Sequence, residues 1–161
     1  MNAVVLTVSD GVSAGVREDT SGDVLEELLR DEGFEVERSV VSDDADVISD
    51  AIRRFVDSGA SVVITTGGTG FAPRDVTPEA TRAVVQREAP GIAEAIRADA
   101  LARTPHALLS RGVAGLRGAT LVVNLPGSPG GCRDGFEVLR PALRHGLELA
   151  AGETATRHRQ T

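Results

Sequence analysis

The sequence predicts an α/β fold with a largely parallel sheet in a single domain. Short apolar, β-branched runs alternate along the chain with segments of helical periodicity, the pattern of strands joined by helical crossovers. At 161 residues and 41% hydrophobic, the chain suits one core, burying roughly 70% of its unfolded surface. No internal repeat or linker divides it.

Each element has a local cause. "AVVLTVS" (3–9) is a short run of β-branched and aliphatic residues, read as a buried first strand. A polar loop containing Gly11 and Gly15 follows. Ser21 then opens a helix with Val24, Leu25, Leu28 and Leu29 on one face, closed by Gly33. "FEVERSVV" (34–41) partly alternates, as a second strand does. Asp43, Asp44 and Asp46 precede a helix that turns Val47, Ile48, Ala51, Ile52 and Phe55 inward and ends at Gly59. "SVVITT" (61–66) is the third strand.

Thr77 reads as an N-cap with Pro78 at the first helical position. Residues 91–103 read as a further helix and "TLVVN" (120–124) as a fourth buried strand. A last helical region reaches about Ala151, with Pro141 expected to restart it rather than sit in its middle. The domain is expected over residues 1–152 and a flexible tail over 153–161.

Composition excludes several functions. The balance of 24 acids against 17 bases, net charge −7, opposes nucleic-acid binding, which draws most non-specific affinity from Lys and Arg. Four Phe and no Tyr or Trp leave little for base stacking. No apolar run approaches the roughly 20 residues of a membrane span, and the first strand-like stretch carries no basic n-region; a soluble, cytoplasmic protein is expected. The single cysteine, Cys132, fits a reducing compartment and excludes an internal disulfide and Cys-based zinc sites; it reads as a small packing residue. All 17 basic residues are arginine, so Schiff-base lysines and the P-loop lysine are absent. His106, His145 and His158 are scattered, without metal-ligand spacing.

The informative stretches are two glycine-rich turns, 67–70 and 127–131. Each follows the carboxyl end of an apolar strand and precedes a helix, where open α/β sheets bind ligands and helix N-termini favour anions. Neither is a dinucleotide or P-loop signature, and Pro126 stands where a nucleophile elbow needs its first glycine. Asp75, just past the first turn, would repel a bare phosphate. Two readings fit it: a carboxylate that meets phosphate through Mg²⁺, which favours one or two carboxylates plus phosphate oxygens, or a residue that caps the helix at Thr77. A second acid would come from Asp43 or Asp44, which otherwise cap the following helix; EF-hand spacing is absent. Ser110 and Arg111 lie near another glycine turn, either as an anion-binding pair or in a surface loop. Without a Cys, His or Lys nucleophile, the inventory suits phosphoryl or nucleotidyl transfer between two bound substrates.

"TTGGTG" followed by "RDVTPEAT", with "LSRGVAGLRG" and "NLPGSPGG" downstream, resembles the MogA/MoaB family of molybdenum cofactor biosynthesis. "TVSD" (7–10), "EDTSG" (18–22) and "VVSDD" (40–44) match its remaining segments in order. The resemblance implies a MoaB/Mog-like three-layer α/β/α sandwich and Mg²⁺-dependent transfer of AMP from ATP to the terminal phosphate of molybdopterin. It assigns Asp43 and Asp75 to catalysis and metal binding. It places Gly67, Gly68, Thr69 and Gly70 around the nucleotide phosphates, with Ser9 and Asp10 nearby. Ser110, Asn124, Pro126, Gly127 and Ser128 would hold the pterin. It further implies a homo-oligomer, trimer or hexamer, and leaves room for contacts with other enzymes of the pathway. Phe71, after the glycine turn, departs from the small residue or proline of many relatives. A pterin carrier without transferase activity, or an oligomeric scaffold, are the competing readings.

Overall fold

A computed structural model of the chain describes residues 1–153. Four parallel strands form its centre: β1 (Asn2–Val8), β2 (Glu35–Val41), β3 (Val62–Thr66) and β6 (Thr120–Leu125). Two short antiparallel strands, β4 (Arg87–Glu88) and β5 (Ala114–Arg117), extend the sheet beyond β6 in the order β2-β1-β3-β6-β5-β4. The helices are α1 (Asp10–Ser13), α2 (Thr20–Asp31), α3 (Ala45–Asp57), α4 (Thr77–Val84), α5 (Pro90–Leu101) and α6 (Pro129–Ala150), with a 3₁₀ turn over Pro105–Leu109.

The two-residue period of the strands builds the three layers. Val5, Val62, Ile64, Leu121 and Val123 face one side, against α2, α6 and Ile96 of α5; Val4, Leu6, Val63 and Val122 face the other, against α3 and α4. Both faces of β1, β3 and β6 are covered, so these strands are nearly continuous apolar runs, while the edge strand β2 partly alternates. Phe136 and Leu25 are wholly removed from water on one face and Ile52 on the other, each such side chain contributing about 1.5–3 kcal/mol of transfer free energy. None of the described helices is long and apolar enough to cross a membrane.

The crossovers position the functional edge. β1 leads through α2 to β2 on one side of itself, and β2 leads through α3 to β3 on the other. Because parallel crossovers are right-handed, this reversal puts α2 and α3 on opposite faces. It leaves the ends of β1 and β3 at the switch point where such sheets bind ligands.

Several sequence expectations are corrected. The polar loop after β1 contains the single-turn helix α1, capped by Ser9, whose Oγ accepts the Val12 N–H. Asp19 caps α2, opening it one residue before Ser21. Thr77 is not a cap but the first residue of α4, with Val76 at the cap position. Its buried hydroxyl donates instead to the Gly67 carbonyl. The "LSRGVAGLRG" segment is no simple surface loop, because it contains β5.

Pro141 does not restart the last helix either. α6 runs unbroken for 22 residues. The proline lies on the exposed face, where a carbonyl deprived of its partner can meet water, while Leu139 and Leu143 beside it hold both halves in the core. The tail expected over 153–161 lies outside the described residues, apart from Glu153.

Gly67 marks the tightest point of the edge. Its φ is +97° and a Cβ there would stand 2.3 Å from the Val8 carbonyl oxygen. Gly59 also has a positive φ, +90°, but a Cβ there would meet nothing within 4 Å. Gly59→Ala is therefore expected to cost about 1–2 kcal/mol, the left-handed backbone penalty alone. Gly67→Ala is expected to cost about 4 kcal/mol or more, because backbone must also move. Urea unfolding midpoints of the two variants measure the difference directly.

Candidate active site at the carboxyl edge of the sheet

The first glycine turn is held entirely from behind. The Gly67 carbonyl accepts the Thr77 hydroxyl at 2.9 Å and the Gly68 carbonyl accepts the Thr77 N–H at 3.1 Å. The Thr69 carbonyl accepts the Arg111 N–H, and the Gly70 carbonyl accepts Arg111 Nε, both at 2.8 Å. The Gly67 N–H donates to the Leu125 carbonyl, so with its carbonyls engaged by the protein the turn offers the amides of Gly68, Thr69 and Gly70 to a ligand. Amide N–H groups so presented suit an anion.

The second turn is fixed in the same manner. The Pro126 carbonyl accepts the Thr66 hydroxyl at 2.7 Å and the Cys132 thiol at 3.1 Å. The Gly127 carbonyl accepts Ser21 Oγ at 2.7 Å. Ser128 caps α6 through the Gly131 N–H. Burial pushes the Cys132 thiol up to about 11, which suits the packing role expected of it.

Two cavities meet across these turns. The larger, about 760 Å³, is lined by Thr69, Gly70, Ser110, Pro126 and Ser128. The smaller, about 240 Å³, is lined by Ser9, Gly67, Thr66, Asp43 and Ser21. Gly68, Asp75 and Gly127 line both. Eleven of the thirteen residues singled out from the sequence thus line one cavity or the other.

Asp10 and Asn124 do not line either cavity. Asn124 is spent on structure. Its amide donates to Thr65 Oγ1 and Thr81 Oγ1, both at 2.9 Å, and its Oδ1 accepts the Val113 N–H. At 5% exposure it ties β6 to β3, to α4 and to the approach to β5. A role in holding the pterin directly is therefore corrected to one of bracing the sheet edge. Arg111 is reassigned likewise. Its guanidinium binds the Gly70 and Asp75 carbonyls and the Glu79 carboxylate, so it clamps the glycine turn instead of waiting for an anion.

The acids are interlocked. Asp10 and Asp43 exchange hydrogen bonds: the Asp10 N–H donates to Asp43 Oδ2 at 2.8 Å and the Asp43 N–H to Asp10 Oδ1 at 3.0 Å. Arg74 grips Asp10 through Nε and Nη2, and this ion pair holds the Asp10 carboxyl below the usual range. Asp43 behaves oppositely: burial pushes its carboxyl up, and the nearby charges of Asp10 and Asp75 add to the effect. Asp44, not Asp43, caps α3, so Asp43 is free of the capping role its sequence position allowed. Asp75 does not cap α4 either; its carboxylate accepts the Ala72 N–H at 2.9 Å.

Sequence reasoning singles out neither Thr66 nor Ser21 as a site residue, yet both line the smaller cavity. Ser21 is visible only as a helix start, and Thr66 only as the last residue of a strand.

Comparison with known proteins gives this edge a family. The model described as "Probable molybdopterin binding domain" matches residues 4–145, and the chain belongs to that family. Among its relatives, the molybdopterin adenylyltransferase of Helicobacter pylori strain J99 is 40% identical over 152 residues, 92% of this chain and 86% of that protein. The crystal structure of the molybdopterin biosynthesis enzyme MoaB from Thermus thermophilus has 48% identity and a TM-score of 0.88, covering 94% of this chain and 98% of that one. The Drosophila melanogaster molybdenum cofactor synthesis protein cinnamon is 38% identical over 94% of this chain, which spans only 26% of that protein. These likenesses agree with the three-layer α/β/α sandwich described above.

The raised Asp43 carboxyl has a consequence for stability. Its folded value lies above the unfolded 3.8, so ionisation is harder in the folded protein. Stability is lost as pH rises through the folded value and is unaffected by this group below the unfolded one. Asp43→Asn keeps the acceptor for the Asp10 N–H. It is expected to raise the melting temperature at pH 7, with the gain disappearing as pH falls below about 4, a trend that calorimetric scans across pH would reveal.

Proposed function

We propose that the chain is a molybdopterin adenylyltransferase, transferring AMP from ATP to the terminal phosphate of molybdopterin and releasing pyrophosphate. The observation that carries this reading is the meeting of two cavities across Gly68, Asp75 and Gly127. Two substrates bound side by side would bring their phosphates together at that seam. An oxygen of the pterin's phosphate attacks the α-phosphorus of ATP, and the bond from that phosphorus to the bridging oxygen of pyrophosphate breaks. The attacking oxygen belongs to the substrate, consistent with a site whose thiol is buried and protonated.

Mg²⁺ fits the donors present. Asp43 and Asp75 offer carboxylate oxygens in the same small cavity, and a cation there would offset the burial, and the lesser repulsion from neighbouring carboxylates, that make Asp43 hard to ionise. Among the described residues no three His, Cys, Asp or Glu side chains form a metal cage; substrate oxygens and water would complete the shell, as magnesium prefers. When bound, the ion neutralises triphosphate charge. The chain's own contribution is positional. Gly68, Thr69 and Gly70 receive the phosphates of ATP on their amides, Gly67 allows the close approach, Ser9 lies beside them and Asp10 is bonded to Asp43. Ser110, Pro126 and Ser128 border the pterin side.

The assembly is proposed as a homo-oligomer, trimer or hexamer, in the cytoplasm.

Asp75→Asn preserves the acceptor for the Ala72 N–H and is expected to fold normally. Adenylylation should fall on the order of 10²-fold or more, as for removal of a charge acting in the transition state. Product formation from ATP, Mg²⁺ and molybdopterin is the assay; unchanged turnover would remove Asp75 from the mechanism. ATP affinity is expected to rise on adding Mg²⁺, and titration calorimetry with and without EDTA measures the dependence.

A further inference from the structure

Phe71 stands apart from the other aromatic side chains. The chain has four phenylalanines; Phe34, Phe55 and Phe136 are at most 5% exposed, whereas Phe71 is 68% exposed. It lines the larger cavity, next to the glycine turn. A large apolar side chain on a loop tip would ordinarily be free to fold back. Here the backbone on both sides is pinned: the carbonyl of Gly70 accepts Arg111 Nε, and the N–H of Ala72 donates to the Asp75 carboxylate. The ring is thus presented to the cavity by fixed neighbours at the expense of its own burial. An aromatic side chain fixed at the wall of a cavity is placed to meet a ligand there.

The rest of the cavity indicates which ligand. Ile96, Ala100, Ala107 and Leu109 supply apolar wall, and along the same lining Arg103 is paired with Asp99 and, at 3.6 Å, with Asp134. A pterin ring presents a flat face to such a wall and an edge carrying both donors, the 2-amino group and N3, and the 4-oxo acceptor, which a paired aspartate and arginine can meet together.

We propose that Phe71 is a specificity-determining residue, stacking its ring on the pterin face of the substrate in the larger cavity. This rests on the transferase reading above and goes beyond it by naming the group that selects the pterin. Its attachment to Asp75 through Ala72 links ring recognition to the catalytic carboxylate by one hydrogen bond.

The chain contains no tryptophan, so Phe71→Trp introduces a single indole reporter at the site. Titration of this variant with molybdopterin is expected to quench indole fluorescence strongly, whereas AMP at the same concentration leaves it nearly unchanged. In the transfer assay, Phe71→Leu is expected to raise KM for molybdopterin about 10-fold, in line with the loss of one base–aromatic stack. KM for ATP and kcat should change little, and Phe71→Tyr should restore the KM. The side chain is exposed, so all three variants should melt within a few degrees of the parent.

Absence of quenching by molybdopterin overturns the proposal, as does a Leu variant with the KM of the Tyr variant. A Phe71→Leu protein with unchanged KM but altered mass by light scattering assigns the ring to a subunit contact and overturns it too. If the parent forms no adenylylated product, the transferase reading fails, and the fluorescence titration still decides whether Phe71 meets a pterin.

Discussion

The constraint on which the site depends is the crowding of strand ends at one edge of the sheet. β1, β3 and β6 run parallel and stop nearly level, with Thr7 opposite Thr66 and Thr66 opposite Leu125. The chain leaving β3 passes so close to β1 that Gly67 has no space for a side chain beside the Val8 carbonyl. Gly127, leaving β6, would place its own Cβ 3.3 Å from the Gly67 Cα. Side chains on these residues would spread the strands and separate the two cavities. The absence of side chains there lets two glycine turns touch, and the seam between the cavities follows from that contact.

Around this seam the protein uses arginine as a multipoint fastener. With no lysine in the chain, each basic side chain is a planar fork able to bind several acceptors at once. Arg111 ties the glycine turn, the Asp75 backbone and Glu79 together. Arg38 joins Asp19, Asp23 and Glu26, fixing the start of α2, while Asp19 also receives the Thr7 hydroxyl. Arg74 neutralises Asp10. Arg74 and Arg111, beside the first turn, are committed to holding protein groups, while Arg17 lines the smaller cavity, where, among the described residues, Asp43 and Asp75 have no direct salt bridge. That division suits a site meant to receive a cation along with its anionic substrate.

The sequence alone determined the α/β class, the four parallel strands, most helix boundaries and the two glycine turns, because each is set by neighbours in the chain. Continuous β-branched runs such as "VVITT" bury on both faces wherever they lie, and Gly33 and Gly59 end helices by their own backbone freedom. The short strands β4 and β5 carry no such signal: at two and four residues, β5 exists only because β6 offers an edge, and β4 only because β5 does. Pro141 misleads for the same kind of reason, since contacts of Leu139 and Leu143 with distant strands decide whether the helix survives it.

Tertiary structure alone decided which polar residues are available for chemistry. Asp43 and Asp44 are indistinguishable by neighbourhood, yet one caps α3 and the other faces Asp10 and Asp75. Asn124 and Arg111 look like ligand groups in their motifs and are consumed as braces, because their partners, Thr65, Thr81, Gly70 and Asp75, come from elements far along the chain. A hydrogen-bonding group is free or committed according to what the fold brings within about 3 Å of it, and local sequence does not encode that distance.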